Sequence, residues 1–262
     1  MKPIIYRAGG KNSLLKITDF TRYFPRMHRY IETFCGGMVV AVRVNANTYL
    51  MNDLSNETMN FWFQLSKHAD EFYERAKYVF RGMEYTYPIE DDIDRAVVYW
   101  LKSTNSSPRI VVKSTRTDLD ARIEVWRKWL DTHTVVFLNR DPFDFVRDTI
   151  HGREIIPTVW YHDPPYIGNN VDWHHTDKGP MPPFDHERYA ALLRECAGPD
   201  HRMFVSYGDH DEVRRLYDGW YFMELGTVKY AKTAKSIAET TIRTELLISD
   251  QPFVNYKQKC VM

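Results

Sequence analysis

Thr158-Val159-Trp160-Tyr161-His162-Asp163-Pro164-Pro165-Tyr166 is the stretch of this 262-residue chain from which the rest is best understood. Residues 158–161 form an apolar run of strand length, so Asp163 falls at its carboxyl end, where open α/β sheets place their ligands. Asp163 can accept a hydrogen bond from an exocyclic NH2. Pro164 and Pro165 have fixed φ and no N–H, which stiffens the turn and points carbonyls outward. Tyr166 adds a ring on which a base can stack. Together these groups suit a planar amine. Taken alone, though, a rigid Pro-Pro turn with a capping acid is the simpler reading.

Working outward, residues 31–34, 48–51, 135–138, 203–206, 221–225 and 244–248 are further short apolar or β-branched runs of strand length. Helical spacing lies between them. Tyr189, Leu192, Leu193 and Cys196 share one face behind Asp185 as an N-cap, and Leu119, Ile123, Trp126 and Leu130 make a second stripe. Strands alternating with helices predict an α/β fold with a largely parallel sheet and helices on both faces. Residues 57–132 break the rhythm. They open on an aromatic helical segment (Phe61, Trp62, Leu65, Phe72), cross an acidic stretch and the loop-like Ser103-Thr104-Asn105-Ser106-Ser107-Pro108, and end in a basic segment. The expectation is one domain from residues 1–56 and 133–262 with a mostly helical insertion at 57–132.

The chain is 44% hydrophobic and 27% charged, the balance of a globular protein. No apolar run approaches the ~20 residues of a membrane span, and the first residues lack a signal-peptide core. Cys35, Cys196 and Cys260 are widely spaced and form no Cys-x-x-Cys pair, which implies neither a disulfide framework nor a thiolate zinc site. A cytoplasmic protein is expected, with no membrane and no obligate protein partner implied, as a monomer or weak dimer. Basic and acidic residues balance at 35 each, which argues against indiscriminate nucleic-acid binding. Yet residues 1–30 carry seven basic side chains against the single acid Asp19, and residues 95–130 carry eight against Asp118, Asp120 and Glu124. Two basic segments on a neutral chain suit local contact with a polyanion, although solvated helix faces explain each nearly as well.

Other constellations recur at predicted strand ends. Tyr6-Arg7-Ala8-Gly9-Gly10-Lys11 precedes a helical pattern over residues 14–24, so its backbone can approach a ligand with Lys11 near any docked anion. It lacks P-loop spacing. An ordinary glycine turn with a solvated lysine is the alternative. Ile31-Glu32-Thr33-Phe34-Cys35-Gly36-Gly37 runs a strand into a glycine turn, the geometry of nucleotide-type cofactor sites. Asp53 ends the next strand, where an acid can accept ribose hydroxyls or cap a helix. Asn139-Arg140-Asp141 closes a later one. His174-His175 near Asp172 raises a metal, but adjacent histidines in a Trp/Pro-rich loop are more often surface or substrate-contact residues, and no metal is expected.

In this order the motifs resemble those of the Dam-type DNA N6-adenine methyltransferases, particularly bacteriophage-encoded ones. Residues 6–15 resemble the family's N-terminal cofactor segment, Phe34-Cys35-Gly36-Gly37 its glycine motif, Asn52-Asp53 its ribose-binding acid and Asp163-Pro164-Pro165-Tyr166 its catalytic motif. Phe204-Val205-Ser206-Tyr207 and Thr244-Glu245-Leu246-Leu247-Ile248 resemble later strands. Arg7, His162 and Pro142-Phe143 depart from the common pattern. The resemblance spans about residues 4–66 and 133–249, and the middle is where such enzymes keep a variable target-recognition region.

The resemblance implies a Rossmann-like S-adenosylmethionine-dependent fold and methyl transfer to a flipped-out adenine of double-stranded DNA at specific sites. Its catalytic residues would be Asp163, Pro164, Pro165 and Tyr166. Its cofactor residues would be Tyr6, Lys11, Glu32, Phe34, Cys35, Gly36, Gly37, Asp53, Asp141 and Asp163, with Lys11 at the carboxylate end and Asp53 on the ribose. Arg109, Lys113, Arg116, Arg122, Arg127 and Lys128 become candidate DNA contacts, mostly to phosphates. Competing substrates are RNA adenine and protein glutamine; the latter goes with an Asn-Pro-Pro-Tyr version, which Asp163 disfavours. A DNA-binding relative without catalysis is a further alternative, against which the intact Asp163, Gly36-Gly37 and Asp53 argue.

Overall fold

The structure, a computed structural model, describes residues 3–5, 10–79, 88–104, 116–152, 156–167, 175–176, 179–180, 183–231 and 240–256. Its strands are β1 (Met27–Glu32), β2 (Ala46–Asn52), β3 (Thr134–Leu138), β4 (Thr158–His162), β5 (His175–Thr176), β6 (Gly179–Pro180), β7 (His201–Gly208), β8 (Tyr221–Ala231) and β9 (Thr240–Ser249). The helices are α1 (Asn12–Ile17), α2 (Asn56–Lys67), α3 (Ala69–Val79), α4 (Asp92–Thr104), α5 (Arg116–Thr132), α6 (Pro142–Ile150), α7 (His186–Cys196) and α8 (Asp211–Leu216).

Seven strands form one sheet in the order β3-β2-β1-β4-β7-β9-β8; β5 and β6 pair by themselves. The β1–β2, β1–β4, β2–β3 and β4–β7 pairs are parallel, whereas β9 runs antiparallel to both β7 and β8. The alternating pattern thus gives the expected parallel sheet up to β7 and a hairpin edge beyond it. Strand order reverses at β1, which has β2 on one side and β4 on the other. A crevice opens outside the carboxyl ends of such neighbours. Here those ends are Glu32 and Asp163, since Glu32 stands opposite Tyr161 in register.

Strand limits follow local hydrogen bonding. The 31–34 run enters its strand earlier and leaves it at Glu32, because Cys35 N–H donates to the Asn52 carbonyl and Met38 N–H to that of Cys35. The helical pattern at 14–24 divides into α1 and a short 3-10 turn over Phe20–Tyr23. Thr18 between them is extended, and its hydroxyl donates to the Leu225 carbonyl of β8 at 2.9 Å.

The helices after β2 share their core with the sheet. Phe61, Trp62, Phe72, Trp100 and Trp126 are buried in one cluster with Tyr30, Tyr49 and Met51. Each aromatic contributes ~1.5–3 kcal/mol by leaving water. The Trp100 indole N–H also donates to the Ile4 carbonyl at 2.9 Å, tying α4 to the N-terminal segment. A second core on the opposite face joins Trp160, Phe145, Tyr189 and Leu193 from β4, α6 and α7. Among the described residues no helix is long and apolar enough to cross a membrane.

Candidate active site

Two asparagines stitch three strand ends together. Asn52 donates to the carbonyls of Thr33 and Arg140 at 3.1 Å each, and Asn139 donates to the Asp53 carbonyl at 2.8 Å. Asp53 follows directly and is buried. Its Oδ2 accepts from Gly36 N–H and its Oδ1 from Ser55 N–H, both at 2.9 Å. Ser55, rather than Asp53, is the N-cap of α2. Asp53 instead fixes the glycine turn, in which Gly36 takes the left-handed φ of 44° that favours glycine. On its other side the Gly36 carbonyl accepts the Trp62 indole N–H at 2.8 Å, so both ends of the residue are held.

Phe34 leaves β1 into an aromatic group with Phe184 and Tyr189, ring centroids 5.7 and 5.6 Å away. Phe143 joins from α6, 5.5 Å from Phe184. Asp141 caps that helix: its Oδ1 accepts from the N–H of Phe143 and of Asp144, with Pro142 in the first turn. Cys35 is buried, with its Sγ 3.8 Å from Met59 Sδ.

Glu32 points into the core, where Tyr30 Oη donates to it at 2.8 Å. Burial pushes its carboxyl up to about 8, opposed by the hydrogen bonds from Tyr30 and the Ala41 N–H and reinforced by Asp163 and Asp53. A carboxyl raised on folding holds its proton better in the native state. Its contribution to stability therefore falls as pH rises from the ordinary Glu value near 4.5 to about 8. Glu32→Gln is expected to flatten the fall in melting temperature of the cofactor-free protein across that window. An unchanged pH profile of melting would refute the assignment.

Asp163 emerges from β4 across the crevice. Its Oδ1 accepts from Lys11 Nζ at 2.6 Å and from Ser206 Oγ, at the end of β7, at 3.0 Å. Tyr161 and Ser206 share a further 2.9 Å hydroxyl contact. Both of Asp163's hydrogen bonds converge on Oδ1, and Oδ2 has no hydrogen-bond partner among the described residues. Lys11 is 3% exposed while Asp163 keeps 21% of its side chain accessible, so the open face of the pair is the carboxylate. Burial raises the Asp163 carboxyl, Lys11 opposes this by charge and hydrogen bond, Glu245 adds to the rise, and Ser206 opposes it; the net direction is upward. Lys11 Nζ also lies 4.9 Å from the Tyr166 ring centroid, and Tyr166 Oη donates to Glu245 Oε2 at 2.6 Å.

His162 lies wholly beneath this group. Its Nδ1 meets Thr33 Oγ1 at 3.0 Å and Tyr189 Oη at 2.9 Å. Burial pushes its pKa down to about 3, so the ring is neutral at ordinary pH and acts as packing between β1, β4 and α7.

The fold thus brings together Lys11, Glu32, Phe34, Cys35, Gly36, Gly37, Asp53, Asp163, Pro164, Pro165 and Tyr166 at the strand-order reversal. Tyr6, Arg109, Lys113, Asp172 and His174 lie outside the described residues, as do the side chains of Arg116 and His175. On α5, Lys128 is exposed and Arg122 half-buried, while Arg127 is paired with Asp70. Among the described residues no group of three His, Cys, Asp or Glu side chains is disposed to hold a metal ion. Ser206, Trp62, Phe184 and Glu245 also contact these residues, although the sequence motifs assign none of them a role in the site. Two left a trace, as a lone hydroxyl and a lone acid inside apolar strand runs.

A reversing parallel sheet, a braced glycine turn, a strand-end acid and an Asp-Pro-Pro-Tyr turn facing one another define a Rossmann-like S-adenosylmethionine-dependent methyltransferase. Residues 8–92 match the family model of the D12 class N6 adenine-specific DNA methyltransferases. The Retron Ec67 DNA adenine methylase of Escherichia coli is 21% identical over 276 aligned positions, covering 94% of this chain and 90% of that protein. Both findings support a Dam-type, S-adenosylmethionine-dependent DNA adenine methyltransferase. Among solved structures, an rRNA methyltransferase, AviRa of Streptomyces viridochromogenes, aligns over 94% of this chain and 86% of its own at 14% identity and a TM-score of 0.42. A SAM-dependent methyltransferase of Agrobacterium tumefaciens aligns over 92% and 61% at 12% identity and 0.44.

Proposed function

We propose that the protein methylates N6 of an adenine flipped out of duplex DNA at a specific sequence. The observation that carries this is the Asp163 carboxylate, whose Oδ1 is fixed by Lys11 and Ser206 and whose Oδ2 is left to accept. The residues of the crevice fit the cofactor. Asp53 supplies a buried acceptor for ribose hydroxyls, and 34–37 form a braced glycine turn for the methionine side. The Asp141 Oδ1 carries the α6 cap, which leaves its Oδ2 for an adenosine contact. When bound, S-adenosylmethionine supplies an electrophilic methyl group.

A base inside a duplex cannot reach that group, so the adenine is extruded at a cost of roughly a few kcal/mol. Stacking on Tyr166, worth ~1–3 kcal/mol per base, offsets much of it. The N6 lone pair is delocalised into the ring and is a poor nucleophile. Asp163 Oδ2 and the Pro164 carbonyl accept the two N6 hydrogens, favour a more tetrahedral nitrogen and orient its lone pair. The same acceptors stabilise the positive charge that develops on nitrogen. No covalent enzyme intermediate is required.

The helices at 57–132 would supply target recognition, with basic residues of 109–128 on phosphates. Neutralising Arg116 and Arg122 together is expected to reduce the slope of log K against log salt by about two, the value for two lost phosphate contacts. An unchanged slope removes both from the interface. The activity itself is tested by incubating the protein with unmethylated genomic DNA and S-adenosylmethionine, then sequencing single molecules for modified adenines. Methyl label on cytosine, RNA or protein alone would overturn the proposal. The location of modified adenines gives the recognition sequence.

A further inference from the structure

Glu245 sits within β9 with no exposed surface, immediately before Leu246-Leu247-Ile248. Burying a carboxylate in such a run is costly unless it is paired. Its partners in register on either side are glycines, Gly208 of β7 and Gly226 of β8, the latter at a register irregularity. Bulges of this kind re-aim side chains next to functional sites. A Cβ on Gly208 would stand 3.5 Å from Cδ2 and 3.7 Å from Cε2 of Tyr166, ordinary van der Waals distances, so the ring lies directly over this point of β7. Past this glycine the phenol reaches Glu245, in the buried 2.6 Å bond described above.

We infer that Glu245 is a positioning residue for methyl transfer, fixing the Tyr166 ring in the orientation that receives the target base. The inference rests on the proposal that Tyr166 is the stacking platform. A tyrosine held only at its backbone retains freedom about χ1 and a broad χ2. A short hydrogen bond from its para oxygen to a carboxylate removes both, because the two ends of the side chain are then fixed. The anchor is 79 residues away in sequence, on an antiparallel strand that packs beside the catalytic turn. Lys11, over the same ring, completes a site in which Glu245, Tyr166, Lys11 and Asp163 form one connected chain of contacts.

The test uses the full chain and a duplex carrying the recognition sequence found by the sequencing above, with 2-aminopurine at the target position in a parallel duplex. Wild-type protein that neither methylates the duplex nor brightens 2-aminopurine would sink the adenine proposal before any variant is considered. Given both signals, Glu245→Ala and Tyr166→Phe are each expected to lower kcat by about ten- to hundredfold, the range a hydrogen bond to a charged group carries. The 2-aminopurine signal should weaken, while the Kd for S-adenosylmethionine stays within about twofold of wild type. The double variant is expected to be no worse than the poorer single one, because both remove the same contact. Glu245→Gln, which keeps an acceptor oxygen, should recover most of kcat. Losses that multiply in the double variant, or wild-type kcat in Glu245→Ala, would overturn the inference. If Glu245→Ala fails to fold by circular dichroism, Tyr166→Phe decides alone, and unchanged kcat in it refutes the role.

Discussion

Asp163→Ala is expected to lower kcat by about 10²–10³-fold or more, the scale on which one preorganised electrostatic group acts. The affinity for S-adenosylmethionine should stay within about threefold, because the glycine turn is braced by Asp53 and Trp62 and makes no use of Asp163. Asp163→Asn is the sharper variant. It preserves shape, and Lys11 and Ser206 both donate to the Oδ1 position, so the amide oxygen is drawn there. The amide nitrogen then occupies the Oδ2 position and presents hydrogens to the N6 hydrogens of adenine. A donor facing donors cannot pyramidalise the nitrogen, and Asn at this position is expected to be as inactive as Ala. Single-turnover methyl incorporation, with calorimetric cofactor binding as control, separates the two effects. Retained turnover in Asp163→Asn would sink the role given to Oδ2.

How far this site can be read from sequence depends on how local each contact is. Asp163-Pro164-Pro165-Tyr166, Gly36-Gly37 and Asp53 each sit within five residues of the strand that presents them, so an apolar run followed by a polar or glycine break locates them. The parallel part of the sheet was legible for the same reason. The antiparallel β9 was not, because its run at 244–248 has no directional mark; direction is set by pairing with β7 and β8. Lys11 illustrates the limit more clearly. Its chain position beside Gly10 suggests a lysine at an open turn, near a cofactor anion. Its structural position is against Asp163, 152 residues on, because α1 carries it over the carboxyl end of β4. Trp62 likewise belongs by spacing to an apolar helix face, and only the folded chain shows its indole holding Gly36. Contacts between distant strand ends are products of topology, and single-residue spacing carries no record of them.

Lys11→Met is expected to produce the second largest loss, and its pH dependence identifies the reason. Methionine keeps most of the volume of the buried side chain but removes the ammonium. Burial and Glu245 raise the Asp163 carboxyl, and Lys11 and Ser206 oppose them. Without Lys11 the carboxyl therefore rises further, and the protonated form prevails over a wider range of pH. A protonated Asp163 offers a hydrogen where an acceptor is needed. The acidic limb of kcat against pH should accordingly move upward, leaving a deficit near neutral pH that is partly recovered in alkaline buffer. Removing one partner of a buried pair also costs about 3–5 kcal/mol of stability when the other remains charged. Protonation of Asp163 relieves that cost, so the variant's melting temperature should improve relative to wild type as pH falls. The alternative placement of Lys11, at the carboxylate end of S-adenosylmethionine, makes a different demand. It requires a raised KM for cofactor with the acidic limb of kcat unmoved, and that pattern would return Lys11 to the cofactor.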